Sequence, residues 1–187
     1  MSGGHGHVDG SNKKIALLVA VLAALLAISE MGGKSAQTNA LVSHTEASNL
    51  WNFFQAKTIR QTVLRTAADE ADAILKDNAQ SPPAAMKAQT ERWRQTAQRY
   101  ETEPETGEGR KELMARAKAK EAHRDKALAA YHMFEYGSAA FQLAIVLAGA
   151  AALTSVVWLT VISCGLGVLG LGFTLLAFVA PTLVHLP

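Results

Sequence analysis

Residues 136–187 read YGSAAFQLAIVLAGAAALTSVVWLTVISCGLGVLGLGFTLLAFVAPTLVHLP, and none of them is Asp, Glu, Lys or Arg. Burying such a run in water would take a far larger core than a chain of 187 residues can build. Lipid is the solvent that suits it. Outward from this stretch the composition reverses, since every acidic residue except Asp9 lies between Glu30 and Glu135. The mild overall figures, 49% hydrophobic and mean hydropathy +0.10, therefore average two unlike materials.

Two spans occupy the charge-free run and the residues just before it, one from about Phe134 to Leu153 and one from about Val157 to Val179, joined by the turn Leu153-Thr154-Ser155-Val156. Trp158 sits where an indole ring favours the interface, and Pro181 ends the last helix ahead of a tail whose one titratable side chain is His185. A third apolar run, Ile15 to Ile28, follows Lys13 and Lys14. Its core of 14 residues is shorter than the roughly 20 that cross a bilayer, so a cleaved signal peptide competes with an uncleaved signal anchor. The anchor is the better reading, because Ala27-Ile28-Ser29 runs on into Glu30 and more helix-compatible sequence, and Lys13, Lys14 and Lys34 can snorkel at its ends. The expected fold is an all-α membrane protein with three transmembrane helices and a long, coiled-coil-like helical hairpin between the first and second. Its segments are a flexible tail (1–12), transmembrane helix 1 (13–34), an extramembrane hairpin (35–133), transmembrane helix 2 (134–155), transmembrane helix 3 (156–180) and a C-terminal tail (181–187).

Small residues recur at helical spacing in all three spans. Ser163, Gly167, Gly170, Thr174 and Ala177 follow steps of 4, 3, 4 and 3 in the third. Ala16, Ala20, Ala23 and Ala27 repeat the pattern in the first, and Ala140, Ala144, Ala148, Ala151 and Ser155 in the second. In lipid, close helix approach comes from such seams, so they are read as packing or oligomer contacts.

In the hairpin, 35–76 contains no proline or glycine, and Phe53, Ala56, Val63, Ala67 and Ile74 share a side. The segment 77–83, ending in Pro82-Pro83, stops that helix. A second segment, 84–100, carries Met86, Trp93, Ala97 and Tyr100 on one face, and 101–109, with Pro104, Gly107 and Gly109, reads as a flexible tip. A charged helix from Arg110 then runs without a breaker toward Phe134, with Leu113, Ala117, Leu128, Tyr131 and Phe134 as a thin apolar face.

Residues able to carry chemistry are few. Cys164 lies inside the third span and reads as a packing residue. His5 and His7 on a glycine-rich tail are weak metal ligands, and His132 with Glu135, three apart near His123, lacks the second such pair that a helical metal site uses. Glu30 reads as a solvated boundary residue beside Gly32, Gly33 and Lys34. No phosphate-binding loop or nucleophile motif occurs. From Lys34 to Met133 there are 16 basic and 13 acidic residues, a mixed surface and not a nucleic-acid patch. No cofactor, metal, catalytic residue or enzymatic activity is expected.

The block EASNLWNFFQAKTIRQ, 46–61, is similar to the signature of an uncharacterised bacterial membrane family catalogued as a domain of unknown function. Glu121, Arg124, Asp125, Phe134 and Glu135, followed by QLAIVLA at 142–148, resemble its second block. The resemblance spans Lys13 to about Phe178 and implies no activity. It draws attention to Trp51, Phe53, Phe54, Lys57 and Arg60, which are either the inner layer of the hairpin or a partner-binding face on which Arg60 pairs with Glu46 or with an acid on the facing helix.

Lys13 and Lys14 ahead of the first span place the N-terminus in the cytoplasm and the hairpin in the periplasm, as for a multi-pass protein of a bacterial inner membrane. The basic residues Arg116, Lys118, Lys120, Arg124 and Lys126 argue the opposite orientation, although long loops weigh little. The expected function is structural or scaffolding, a homo-oligomer or an accessory subunit of a larger membrane complex whose partners are the lipid bilayer and other membrane-protein subunits. The alternative is an oligomeric channel or transport protein with a helical vestibule, its pore lined by Thr160, Ser163 and Thr174.

Overall fold

The computed structural model describes residues 10–77 and 83–183. They form four helices, α1 (Gly10–Asp77), α2 (Ala84–Glu101), α3 (Arg110–Thr154) and α4 (Val157–Val179), and no strand occurs among the described residues. His5, His7, His185 and most of the expected stop (78–82) lie outside them. Helices α1, α3 and α4 are each long and apolar enough to cross a membrane, so the architecture is that of an all-helical multi-pass membrane protein. The chain divides into an apolar unit, Met1–Leu41 with Arg124–Pro187, and a charged unit, Val42–His123.

Helix α1 does not stop at Lys34, nor does it break at Gly32-Gly33, although each glycine inside a helix costs about 1 kcal/mol relative to alanine. The glycines are there for Phe134: a Cβ on Gly32 would fall 2.6 Å from its ring, and one on Gly33 would fall 3.2 Å from its Cβ. Along α1 the covered positions alternate steps of 4 and 3 without a lapse. In the apolar unit they are Ile15, Val19, Leu22, Leu26, Ser29, Gly33, Ala36 and Ala40. In the charged unit they are Ser43, Ala47, Leu50, Phe54, Lys57, Gln61, Leu64, Ala68, Ala71 and Leu75, each buried or half-buried.

This corrects the inner layer expected from the sequence. Phe53, Ala56, Val63, Ala67 and Ile74 each lie one residue before a seam position, which turns them about 100° away from it. Phe53, Val63 and Ile74 are exposed and the two alanines only half-buried. Bulk misled the reading, because a second helix approaches most closely where side chains are small, at Ala47, Ala68 and Ala71. Leu128 of α3 is likewise exposed, and Arg124 and Ala127 are the half-buried neighbours there.

In the charged unit α2 and the start of α3 both run antiparallel to α1, one after the other. Asp72 pairs with Arg94, and Gln61 reaches the Ala97 carbonyl, while Thr58 meets Arg110, Trp51 meets Glu121 and Glu46 pairs with Lys120. The stretch 101–109 is therefore not the tip of the hairpin but a break within its return limb, which begins with α2. Glycine chemistry builds the break. Gly107 has φ +67°, and a Cβ on Gly109 would fall 2.4 Å from the Glu103 nitrogen.

In the apolar unit α3 runs antiparallel to both α1 and α4. Leu22, Phe141 and Ala144 form one buried cluster, and Ala36, Met133, Phe134 and Ala177 another. Gly137 and Gly170 mark the closest approach of α3 and α4, since a Cβ on either would lie 3.1 or 3.0 Å from the other's carbonyl oxygen. Buried hydroxyls are satisfied by helix carbonyls, as lipid requires. Ser29 donates to the Phe134 carbonyl at 3.0 Å and Ser163 to that of Ala144 at 2.7 Å. The Thr174 hydroxyl lies 2.8 Å from the Gly170 carbonyl and 3.2 Å from the Ser29 oxygen. Ser155, with φ +57°, makes the turn into α4, and its N–H closes on the Ala151 carbonyl.

Candidate functional site

The densest polar chemistry lies in the charged unit, where Lys57 and Gln61 occupy seam positions that elsewhere hold small or apolar residues. A polar side chain at such a position needs a partner, and a buried charge needs one more urgently. Lys57 is 4% exposed, with its ammonium 3.4 Å from the Glu103 carboxylate, 3.7 Å from Glu108, and over the rings of Phe53 and Tyr100 at 5.3 and 5.4 Å. The Gln61 amide donates to the Ala97 carbonyl at 2.8 Å and to Glu101 at 2.9 Å. Its oxygen accepts from Arg110 at 2.7 Å. The same guanidinium reaches Glu101 at 2.6 Å and the Thr58 hydroxyl at 2.9 Å, and stacks over Phe54 at 4.9 Å.

Two cations, Lys57 and Arg110, thus face two anions, Glu101 and Glu103, around one amide. Arg65 and Arg99 add exposed contacts to Glu101 and Glu103. Among the described residues no buried side-chain nitrogen or oxygen lacks a partner. Each member of the knot is engaged by another. The knot's physical effect is on register: an alanine seam slides easily, but sliding by one heptad would strand Lys57 without a counter-charge.

Glu101 carries the electrostatic signature of the knot. The Gln61 hydrogen bond holds its carboxyl below the ordinary value of 4.5, burial opposes that shift, and the charge and hydrogen bonding of Arg110 reinforce it. A carboxyl depressed in the folded state contributes stability above its unfolded value and loses that contribution as pH falls through the folded one. Thermal melts taken from pH 7 downward should therefore show stability falling below about pH 4.5, with a shallower fall in Glu101→Gln. Parallel curves for the two proteins would place the acid sensitivity elsewhere.

Of the residues singled out in the signature block, Trp51, Phe54 and Lys57 face the return limb, with the Trp51 indole donating to Glu121 at 2.9 Å. Phe53 is at the edge, touching the Lys57 ammonium, and Arg60 is exposed. Arg60 does not pair with Glu46, because the two stand on one helix about 21 Å apart, and Glu46 pairs with Lys120 instead. Reading the sequence missed Gln61, Glu101, Glu103 and Arg110. Two polar side chains at seam positions, Lys57 and Gln61, were the available signal.

The stripe Ser163, Gly167, Gly170, Thr174 and Ala177 is buried along α4 in contact with its own chain. In α3, Ala144, Ala148 and Ala151 are buried and Ala140 is half-buried, and Ser155, in the turn that follows, is exposed. Ala16, Ala20, Ala23 and Ala27 are exposed on α1. Cys164 is exposed on α4, and His132 meets Glu135 at 3.2 Å on the surface of α3. Among the described residues no three His, Cys, Asp or Glu side chains gather as metal ligands would.

Neither the curated proteins nor the solved structures yield a match to this chain. A family model does, over residues 11–180, and it takes in all three apolar helices and the whole knot. The chain belongs to the family described as a domain of unknown function, DUF4337.

Proposed function

We propose that this protein is a structural or scaffolding integral membrane protein that self-associates, alone or as an accessory subunit of a larger membrane complex. The observation that carries this reading is Ile59 with Val63. They are 65% and 60% exposed, one turn apart on α1, and on the face turned away from the seam that the chain fills by itself. Single exposed aliphatics are ordinary, but these two stand together on the outward face of α1 at the level of the knot. The coiled-coil-like hairpin would present this face in fixed register, and a surface of mixed charge suits a second copy of the same chain. Within the membrane the exposed alanines Ala16, Ala20, Ala23 and Ala27 offer a further small-residue seam.

A channel would draw on Ser163 and Thr174, and their hydroxyls are engaged inside the chain's own bundle, which weighs for packing over a pore. No catalytic role is assigned. Lys13 and Lys14 favour a cytoplasmic N-terminus and a periplasmic hairpin, in a bacterial inner membrane.

Native mass spectrometry of the gently extracted protein tests the reading. The expected result is an assembly heavier than one chain, converted to lighter species by Ile59→Glu with Val63→Glu. A bare monomer that carries no other subunit would overturn it.

A further inference from the structure

A second feature, independent of self-association, lies in the apolar unit. Between α1 and α3 there is a cleft of about 480 Å³ lined by Glu30, Lys34, Tyr131, Glu135, Ser138 and Gln142, with Phe134 at its base. Its height along the chain is set by the sequence, because Glu30 and Lys34 end the first apolar run and Glu135 is the last charged residue before the charge-free segment. Side chains at that level meet phospholipid headgroups, not acyl chains.

We infer that this cleft holds the headgroup of a membrane phospholipid bearing a primary ammonium, as in phosphatidylethanolamine. The lining is charged in both senses, with two carboxylates against one lysine. Glu135 is held in place by the Tyr131 hydroxyl at 2.6 Å and by His132 at 3.2 Å, and Glu30 accepts from the Gln142 amide at 3.4 Å. Neither carboxylate has a lysine or arginine partner among the described residues, and Lys34 has no ion pair there either, so Glu30 and Lys34 have no counter-ion of their own and Glu135 has only the His132 imidazole. A zwitterion supplies both signs: its ammonium answers Glu30 and Glu135, and its phosphate answers Lys34 and the Ser138 hydroxyl.

The same inventory ranks the alternatives. An anionic headgroup such as phosphatidylglycerol satisfies Lys34 but sets its charge beside two carboxylates. A choline headgroup has the right charge but no N–H to donate, so the carboxylates would lose their water without gaining hydrogen bonds. The cleft volume falls within the range of small-molecule sites and suits a headgroup whose tails stay in the bilayer.

The test uses the full chain in detergent, offered equimolar phosphatidylethanolamine, phosphatidylcholine and phosphatidylglycerol of matched acyl chains, with retained lipid counted by native mass spectrometry. Retention of phosphatidylethanolamine about fivefold above either competitor is expected, with that preference lost in Glu30→Gln combined with Glu135→Gln. Lys34→Gln should weaken all three lipids together, since they share the phosphate. Equal retention of the three lipids by the unaltered protein, or a preference for phosphatidylglycerol, overturns the inference. That comparison needs no variant, so it decides the question even if the double substitution fails to fold.

Discussion

Leucine in place of Gly170 is expected to separate α4 from α3 and to produce the largest loss of stability of any single substitution in the apolar unit. The first added carbon would already lie 2.9 Å from the Phe141 ring and 3.0 Å from the Gly137 carbonyl oxygen. A ring can rotate but backbone cannot retreat, so the helices must part. Overpacking of a tight core costs about 1–3 kcal/mol, and this site belongs at the upper end because the obstacle is main chain. Parting α3 from α4 also strains the bond from Ser163 to the Ala144 carbonyl, whose loss in lipid leaves a polar group unmatched. Gly172→Leu is the control, since a Cβ there meets nothing within 4 Å. Thermal unfolding in mild detergent, followed by circular dichroism, should show a marked fall for Gly170→Leu and almost none for Gly172→Leu. Equal melting points would mean that the helix contact does not depend on glycine.

The contrast between α4 and α1 shows what small-residue patterns tell a reader and what they withhold. In α4 the spacing of Ser163, Gly167, Gly170, Thr174 and Ala177 marked the face that the structure buries. In α1 the same logic chose Ala16, Ala20, Ala23 and Ala27, which are exposed, while Leu22 and Leu26 turn inward. The two helices play opposite parts in one contact. A Cβ on Gly167 would lie 2.8 Å from Leu22 Cδ2, so the glycine is a hole and the leucine is the knob that fills it. Each helix read alone shows its small residues, but only the pair reveals which helix supplies the bulk.

The knot was illegible for a related reason. Lys57 and Gln61 stand on α1, their partners Glu101 and Glu103 at the end of α2 and just beyond it, and Arg110 at the start of α3. The polar, glycine-bearing stretch 101–109 has the composition of a solvated tip, and nothing local shows that two of its acids have buried partners about 40 residues earlier. Had the unbroken alternation of 4 and 3 from Ile15 to Leu75 been followed through its polar members, Lys57 and Gln61 would have stood out as core positions in need of counter-groups. The Gly32-Gly33 pair misled in the same way, since it suggests a helix end unless the ring of Phe134 is known to lie against it.

Arg110 is the member of the knot whose loss should cost the charged unit most. Arg110→Met keeps the apolar stem of the side chain but removes hydrogen bonds to Thr58, Gln61 and Glu101 and the cation over Phe54. Glu101 is then left with the Gln61 amide and a distant Arg65 at 3.8 Å. Breaking one side of a partly exposed pair while its partner keeps its charge costs about 2 kcal/mol, enough to lower the melting point of a unit this size by about 10 °C. Arg110→Lys should recover little of that, because a lysine cannot place several donors at once on Gln61, Glu101 and Thr58. Glu101→Gln removes the stranded charge, so combining it with Arg110→Met should cost less than the sum of the two single changes, by more than about 1 kcal/mol. Urea titrations of the four proteins that close this cycle measure that coupling. Simple additivity would show that Arg110 and Glu101 are neighbours that do not depend on each other, and the register of the return limb would then have to be held by the alanine seam and Lys57 alone.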